Sequence, residues 1–337
     1  MTTYAPERTL STLSWLRWRT LRGPSDYRTL ANIARRCNLA DHVDEVPTVE
    51  SIASEMEHPV NFDPAVDVLI AEIEGRPVAW QQTAWRVEDG HYAYALKGFV
   101  SPGWRRRGIG RELLRRGERR LRQVAAGHPV NAVRYFRNSS PASRTGKLAL
   151  LQAEGYHPVR HFYSMLRLDL TDLPEAGLPA GLELHPVRPE HWRAIWEAKE
   201  EAFRDHWGAY ERTNDDFERW LEAPDFDPSL WRVAWDAASN QIAGVSITII
   251  HEAANAVHMR LRGEVAELSV RRPWRKRGLG RALLIASLRA LRERGQTEAS
   301  IGVDSENPSG ALRLYESAGF QIIEHAMVFN KAFEREP

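Results

Sequence analysis

The residues best suited to chemistry lie in one short run, Arg275-Lys276-Arg277-Gly278-Leu279-Gly280-Arg281. It follows a strand pattern that ends in Leu268-Ser269-Val270 and opens a helical pattern with Leu284, Leu288 and Leu291 on one side. A helix start concentrates unpaired backbone N–H groups, and its dipole favours negative charge there. The glycines let an anion approach the backbone closely, and the flanking arginines add charge-assisted contacts. The run therefore suits a phosphorylated ligand. It is neither a Walker loop nor a dinucleotide fingerprint, because Gly278 begins only a Gly-x-Gly. Two carboxylates precede it, Glu264 eleven and Glu267 eight residues before Arg275. On a regular strand their spacing puts them on opposite faces, so that one faces a substrate as a proton acceptor.

The run occurs twice. Phe99 to Leu114, with Arg105, Gly108 and Gly110, matches Ser269 to Leu284 at an offset of 170 residues, from Arg105 to Arg275. Downstream, Leu150-Leu-Gln-Ala-Glu-Gly-Tyr156 matches Leu314-Tyr-Glu-Ser-Ala-Gly-Phe320 at an offset of 164, from Gly155 to Gly319. Upstream, Asp67–Ala79 resembles Trp231–Gly244. Three blocks in one order indicate duplication of a whole domain, and a period this long excludes a solenoid. Pro and Gly in Asp169–Gly181 mark the boundary, giving expected domains of 1–172 and 182–337.

The elements that position these residues read as mixed α/β. Two strands joined at Ser239-Asn240 span Trp231–Val245, and a third covers Arg262–Val270. A helix from Gly280 to Arg294 stops at Gly295, and Ile301–Val303 is a short strand. Asn307 reads as an N-cap with Pro308 at the first helical position, leading a helix that ends before Gly319.

The 337 residues suit two domains, and the balance of 43% hydrophobic and 27% charged residues is that of an ordinary soluble protein. There is no apolar run long enough for a membrane span and no signal-peptide pattern, so the expected location is cytoplasmic. The single cysteine, Cys37, excludes an internal disulfide and a cysteine zinc cage, and no metal is expected. A net charge of +1 argues against nucleic acid as the general partner. The twelve tryptophans read as core and interdomain packing.

Arg275–Gly280 after a strand, followed by Asn307-Pro-Ser-Gly-Ala-Leu-Arg-Leu-Tyr-Glu-Ser-Ala-Gly-Phe320, resembles the GNAT acetyltransferase superfamily. Counting both halves, the resemblance extends over most of the chain and is similar to the tandem, two-domain members. It implies two GNAT-like domains, each a mixed, mostly antiparallel sheet flanked by helices, and acetyl-CoA as the acyl donor. The loop amides would hold the pyrophosphate, Leu268, Ser269 and Val270 would pair with the pantetheine, and Asn307 would bond the cofactor further along. Transfer to an amine needs a base, a polarised carbonyl and protonation of the departing thiolate. Tyr315 stands where the family usually places the acid, and the family register favours Glu264 over Glu267 as base.

The N-terminal copy has Leu151 where the second has Tyr315, and Tyr94 and Lys97 where it has Glu264 and Glu267. Its second motif, Arg137–Gly146, is degraded. It is therefore expected to be able to bind an acyl-CoA without catalysing transfer. The acceptor, a small-molecule or peptide amine, is expected between Pro186 and Leu230, with Asp205, His206 and Trp207 lining its pocket. A mycothiol-synthase-like activity on an aminothiol is one specific candidate. The rival reading is a nucleic-acid-binding or regulatory module using the arginines from Arg105 to Arg122, which lack interleaved aromatics for base stacking. An acyl-CoA sensor without catalysis is a third, against which Tyr315 argues. The expected assembly is a monomer or homodimer.

Overall fold

The computed structural model describes residues 15–307 and 309–333. The first half runs β1 (Arg17–Thr20), α1 (Pro24–Ala40), α2 (Val49–Glu57), α3 (Pro64–Asp67), β2 (Val68–Ile73) and β3 (Arg76–Glu88). It continues with β4 (His91–Val100), α4 (Ile109–Ala125), β5 (Arg134–Pro141), α5 (Thr145–Ala153) and β6 (His157–Arg167). The second half repeats this plan with β7 (Leu182–Leu184), α6 (Trp192–Phe203), α7 (Asn214–Leu221), β8 (Arg232–Asp236) and β9 (Gln241–Ile249). An added α8 (Glu252–His258) precedes β10 (Arg262–Val270), α9 (Leu279–Glu293), β11 (Glu298–Asp304), α10 (Ala311–Ser317) and β12 (Gln321–Ala332). The stretch 169–181 between the halves carries no helix or strand.

All the strands form one twelve-stranded sheet in the order β1-β2-β3-β4-β5-β12-β6-β11-β10-β9-β8-β7. In each half the pairing is antiparallel except at one pair, β4 with β5 and β10 with β11. This is the mixed, mostly antiparallel architecture expected for each copy. The last strands cross over: β12 lies between β5 and β6, and β6 lies between β12 and β11. Each half thus borrows the neighbour of its fifth strand from the other.

Helices α6 and α9 cover opposite faces of the second half. Val245 and Ile247 join Ile195 of α6 in one cluster. A side chain at Gly244, one residue off, would press on Leu283 of α9. Leu284, Leu288 and Leu291, spaced four and three residues apart, are fully buried on the α9 face, where burying each leucine stabilises by about 1.5–3 kcal/mol. Gly263 lets α9 come down on β10, because a Cβ there would overlap the Leu291 side chain.

Asn240 takes a positive φ of 54° in the expected turn, and Gly295, at 80°, follows the end of α9. The helix expected from Asn307 begins later, at Ala311, with Gly310 as N-cap at φ 78°. The Asn307 Oδ1 accepts from the Ser309 N–H at 2.8 Å, a local turn that competes with helix formation. Pro308 lies outside the described residues.

Candidate active site

Strand β10 is irregular where chemistry is expected. It pairs with β9 as Glu264↔Ile249 and Val265↔Thr248, then resumes at Glu267↔Ile247, leaving Ala266 without a partner. Residues opposite one another on paired strands share a face, and Ile249 and Ile247 are two apart on a regular strand. Glu264 and Glu267 therefore lie on the same face, that of α6. This corrects the expected opposite faces; the extra residue of the bulge reverses the parity between them. On the other edge, β11 pairs with β10 only along Arg262–Val265. Beyond it the two strands part, and Leu268, Ser269 and Val270 form a stretch of edge that β11 does not cover.

The two carboxylates have different partners. His251 Nε2 lies 2.8 Å from Glu264 Oε2, and His251 Nδ1 lies 2.8 Å from Asp225 Oδ2. Asp225 and then Glu264 raise the imidazole to about 10, so it is charged and donates to both. Glu267 Oε1 accepts from Lys199 Nζ at 2.8 Å. Lys199 is 1% exposed, and its ammonium sits 4.4 Å from the Trp196 ring centre. The second oxygen of Glu267 is buried with no partner among the described residues. Lys199 and His251 both lie outside the repeated blocks and motifs of the sequence. For Lys199 a signal existed, since it shares the apolar helical spacing of Ile195 and Ala202.

Tyr315 is buried on α10, in the cluster of Leu284, Leu288 and Val303. Burial pushes its phenol up to about 12, so it is protonated at neutral pH and able to donate. Its hydroxyl makes no hydrogen bond among the described residues.

The glycine loop has the geometry of an anion site. Lys276 and Gly278 take positive φ of 60° and 87°, and Gly278 caps α9 without any side-chain bond to its first N–H groups. Gly280 lies where a Cβ would be 3.6 Å from Leu314, so α10 approaches the helix start closely. Leu279 is core. Arg277 donates to the Ala180 carbonyl at 3.2 Å, and Arg281 to Ser317 Oγ at 2.7 Å. Arg275 holds the loop itself, donating to the Val270 carbonyl at 2.9 Å, the Ala202 carbonyl at 3.1 Å and Asp205 at 2.7 Å.

Asp205 is thus engaged by Arg275 and Arg272, which hold its carboxyl well below the usual range. It also lines a cavity of about 380 Å³ with His206, Trp207, Asn307 and Arg160. Burial lowers the His206 imidazole, favouring its neutral form. The three residues expected to meet the acceptor therefore share a cavity with the asparagine expected to meet the cofactor.

The model of the acetyltransferase (GNAT) family matches residues 27–139 and 192–320. The chain belongs to the GNAT acetyltransferase family. Among its relatives, the mycothiol acetyltransferase of Thermobifida fusca is 31% identical over 248 residues, 70% of this chain and 73% of that one. That of Thermomonospora curvata is 34% identical over 223 residues, 66% and 68% of the two chains. A GCN5-related N-acetyltransferase from Sphaerobacter thermophilus superposes with a TM-score of 0.71 at 26% identity, over 96% of this chain and 97% of that one. A tandem GNAT protein from the clavulanic acid biosynthesis pathway shares the fold, with a TM-score of 0.69 at 18% identity over 96% and 100%. The chain is an acetyl-CoA-dependent acyltransferase.

In this GNAT enzyme the halves share the loop device and differ around it. Arg105 donates to the Val100 carbonyl at 3.2 Å and to both oxygens of Asp41 at 2.6 and 2.9 Å, as Arg275 does to Val270 and Asp205. Gly108 caps α4 at φ 84°. A cavity of about 500 Å³ adjoins this first loop, lined by Arg105, Gly108, Gly110, Arg144 and Lys147. Yet β4 pairs with β3 without a break from Val100 to His91, so the bulge of β10 has no counterpart in β4. Tyr94 is buried against His128 at 2.8 Å, Lys97 pairs with Glu55 at 2.9 Å, and Leu151 is core. Seven of the arginines from Arg105 to Arg122, namely 105, 111, 115, 116, 119, 120 and 122, are paired with Asp41, Asp67, Glu112, Glu118 or Glu154. A run so neutralised offers little to a phosphate backbone.

Proposed function

We propose that the second half, residues 182–337, transfers the acetyl group directly from acetyl-CoA to a primary amine of a small molecule or peptide. The first half, residues 1–172, is a degenerate GNAT-like unit that binds acyl-CoA at Arg105, Gly108 and Gly110 without turning it over. The observation that carries this reading is the β10 bulge, which gathers Glu264 and Glu267 on one face and has no counterpart in β4.

An amine of pKa about 8–10 is mostly charged at neutral pH and must lose a proton before it attacks. Glu264 takes that proton, directly or through water, and Glu267, held by Lys199, supports the acceptor beside it. A strand amide on the edge of β10 that β11 does not cover polarises the thioester carbonyl as the C–N bond forms and the C–S bond breaks. Tyr315 then gives its proton to the departing thiolate, and the second proton, lost from nitrogen as the amide forms, restores the phenol through solvent. Amides of Gly278–Gly280, with Lys276, Arg277 and Arg281, hold the pyrophosphate; Leu268–Val270 pair with the pantetheine, and Asn307 bonds further along. His206 and Trp207 face the acceptor, while Asp205 serves the loop through Arg275.

A second reading narrows the acceptor to the amine of an aminothiol, because the relatives above are named mycothiol acetyltransferase. Both readings meet one experiment: acetyl-CoA turnover over amines, amino-sugars, aminothiols and peptide N-termini, with calorimetry to count the CoA bound per chain. We expect turnover on at least one amine class and two CoA sites. Turnover that survives Tyr315→Phe but is abolished by Arg105 or Gly108 substitutions would move catalysis to the first half.

A further inference from the structure

The segment Arg204–Tyr210, between α6 and α7, carries His206 and Trp207 and rests on the first half. The Trp207 ring has the Arg137 guanidinium 4.5 Å from its centre and that of Arg160 at 5.6 Å, with the Phe162 ring at 6.3 Å. Arg86 lies 5.1 Å from the centre of the Tyr210 ring. Arg137 is buried in an ion pair with Glu88, which also takes Arg86 and the Tyr135 hydroxyl. Arg137 Nε further donates to Asn330 of β12 at 3.2 Å. Gly208, at φ 72°, lays the segment's backbone on this pair; a Cβ there would stand 3.4 Å from Glu88 Oε2 and 3.5 Å from Arg137 Nη1.

The arrangement recurs in reverse. The segment between α1 and α2 carries Asp44, which pairs with Arg262 at 2.7 Å and with Arg260 of the second half, while its carbonyl meets His258 at 3.1 Å. Positions 44 and 208 are related by the same offset of 164 that relates Gly155 to Gly319. Each half therefore clamps the other's helix-connecting segment.

We propose that Arg137 and Glu88 of the first half are positioning residues for the acceptor pocket of the second. The cavity at His206 and Trp207 takes part of its wall, Asp89 and Arg160, from the first half. A half that lacks both acid and base thus keeps a role in the reaction: it fixes where Trp207 stands. This rests on the reading of that cavity as the acceptor site. A fixed cation against an aromatic face limits where the ring can sit, and a buried pair removed from one side leaves the other charge to reorganise.

The test uses the full chain with Arg137→Gln, Trp207→Leu and both together, and cysteamine as the acceptor probe. Amide hydrogen exchange of 204–210 should quicken about tenfold in Arg137→Gln, while exchange across Arg271–Arg281 and acetyl-CoA affinity stay at wild-type values. KM for cysteamine should rise about tenfold with a smaller change in kcat, and the double variant should be no worse than the worse single one. Unchanged exchange at 204–210, or a loosened segment with unchanged KM, overturns the proposal. If the wild type does not use cysteamine, the aminothiol reading fails on its own, and exchange still decides whether Arg137 holds the segment. Should Arg137→Gln not fold, Trp207→Leu leaves the buried pair intact and must give the same rise in KM; without it the positioning role is lost.

Discussion

Glu264 and Glu267 share one face of β10 because Ala266 between them has no partner in β9. Their partners then set them apart: a charged imidazole half open to solvent for Glu264, a buried ammonium for Glu267. Glu264→Gln should lower kcat by about 10²–10⁴ with acetyl-CoA affinity unchanged, the usual contribution of a general base. Glu267→Gln leaves the buried Lys199 with only the more distant Glu200 carboxylate, 3.8 Å away, so its first effect should be on stability and acceptor KM. A kcat loss larger in Glu267→Gln than in Glu264→Gln, measured on equally folded protein, would exchange the roles.

Tyr315 offers a cleaner separation of catalysis from packing. Its hydroxyl has no partner among the described residues, so Tyr315→Phe should change stability by no more than about 1 kcal/mol. Turnover should fall about 10²-fold or more, and the loss should shrink with acyl donors whose thiols are more acidic and leave without protonation. The converse, Leu151→Tyr, should give the first half no activity, because β4 supplies neither the bulge nor a carboxylate. A loss identical for every leaving thiol would remove Tyr315 from the acid role.

How far the site was readable from the sequence follows from these residues. The glycine loops, β10, α9 and Tyr315 carry signals that are local: a periodicity, a glycine that takes positive φ, a motif of fixed spacing. The bulge has no such signal, because Ala266 is an ordinary strand residue and the register depends on β9. The crossing of β6 and β12 was invisible for a similar reason: alternation along a strand says which face is buried, not which neighbour it pairs with. His251 sits in a connection that lacks periodicity, and its two carboxylates come from distant parts of the chain, 26 and 13 residues away.

The His251 cluster makes stability depend on pH in a definite direction. A histidine raised to about 10 in the folded chain binds its proton more tightly there than in the unfolded chain, where about 6.5 is usual. Its contribution is therefore fully present below about pH 6.5 and is lost as pH climbs from there towards 10. Urea midpoints between pH 6 and 10 should fall more steeply in the wild type than in His251→Gln. Parallel curves for the two proteins would show that the pair of carboxylates does not hold the charge. The same substitution should alter the pH dependence of kcat/KM if Glu264 is the base, since it removes a cation bonded to that carboxylate.

The crossing strands make the halves dependent on one another. Without β12, β5 has an open edge; without β6, so does β11. Lys331, near the end of β12, donates to both oxygens of Glu118 at 2.9 and 2.8 Å, and the same buried carboxylate accepts from the Tyr156 hydroxyl at 2.9 Å. Removing one partner of such a pair costs about 3–5 kcal/mol when the other stays buried, and Lys331 is only partly so; Glu118→Ala should therefore cost somewhat less. Because the sheet is continuous, that loss should appear equally in probes of the second half, and unfolding should be a single transition. Chains 1–172 and 182–337 produced separately should expose unpaired strand edges and aggregate, whereas their co-expression should yield a soluble complex. Two independently soluble, cooperatively folding pieces would mean that the crossing contributes little to holding the enzyme together.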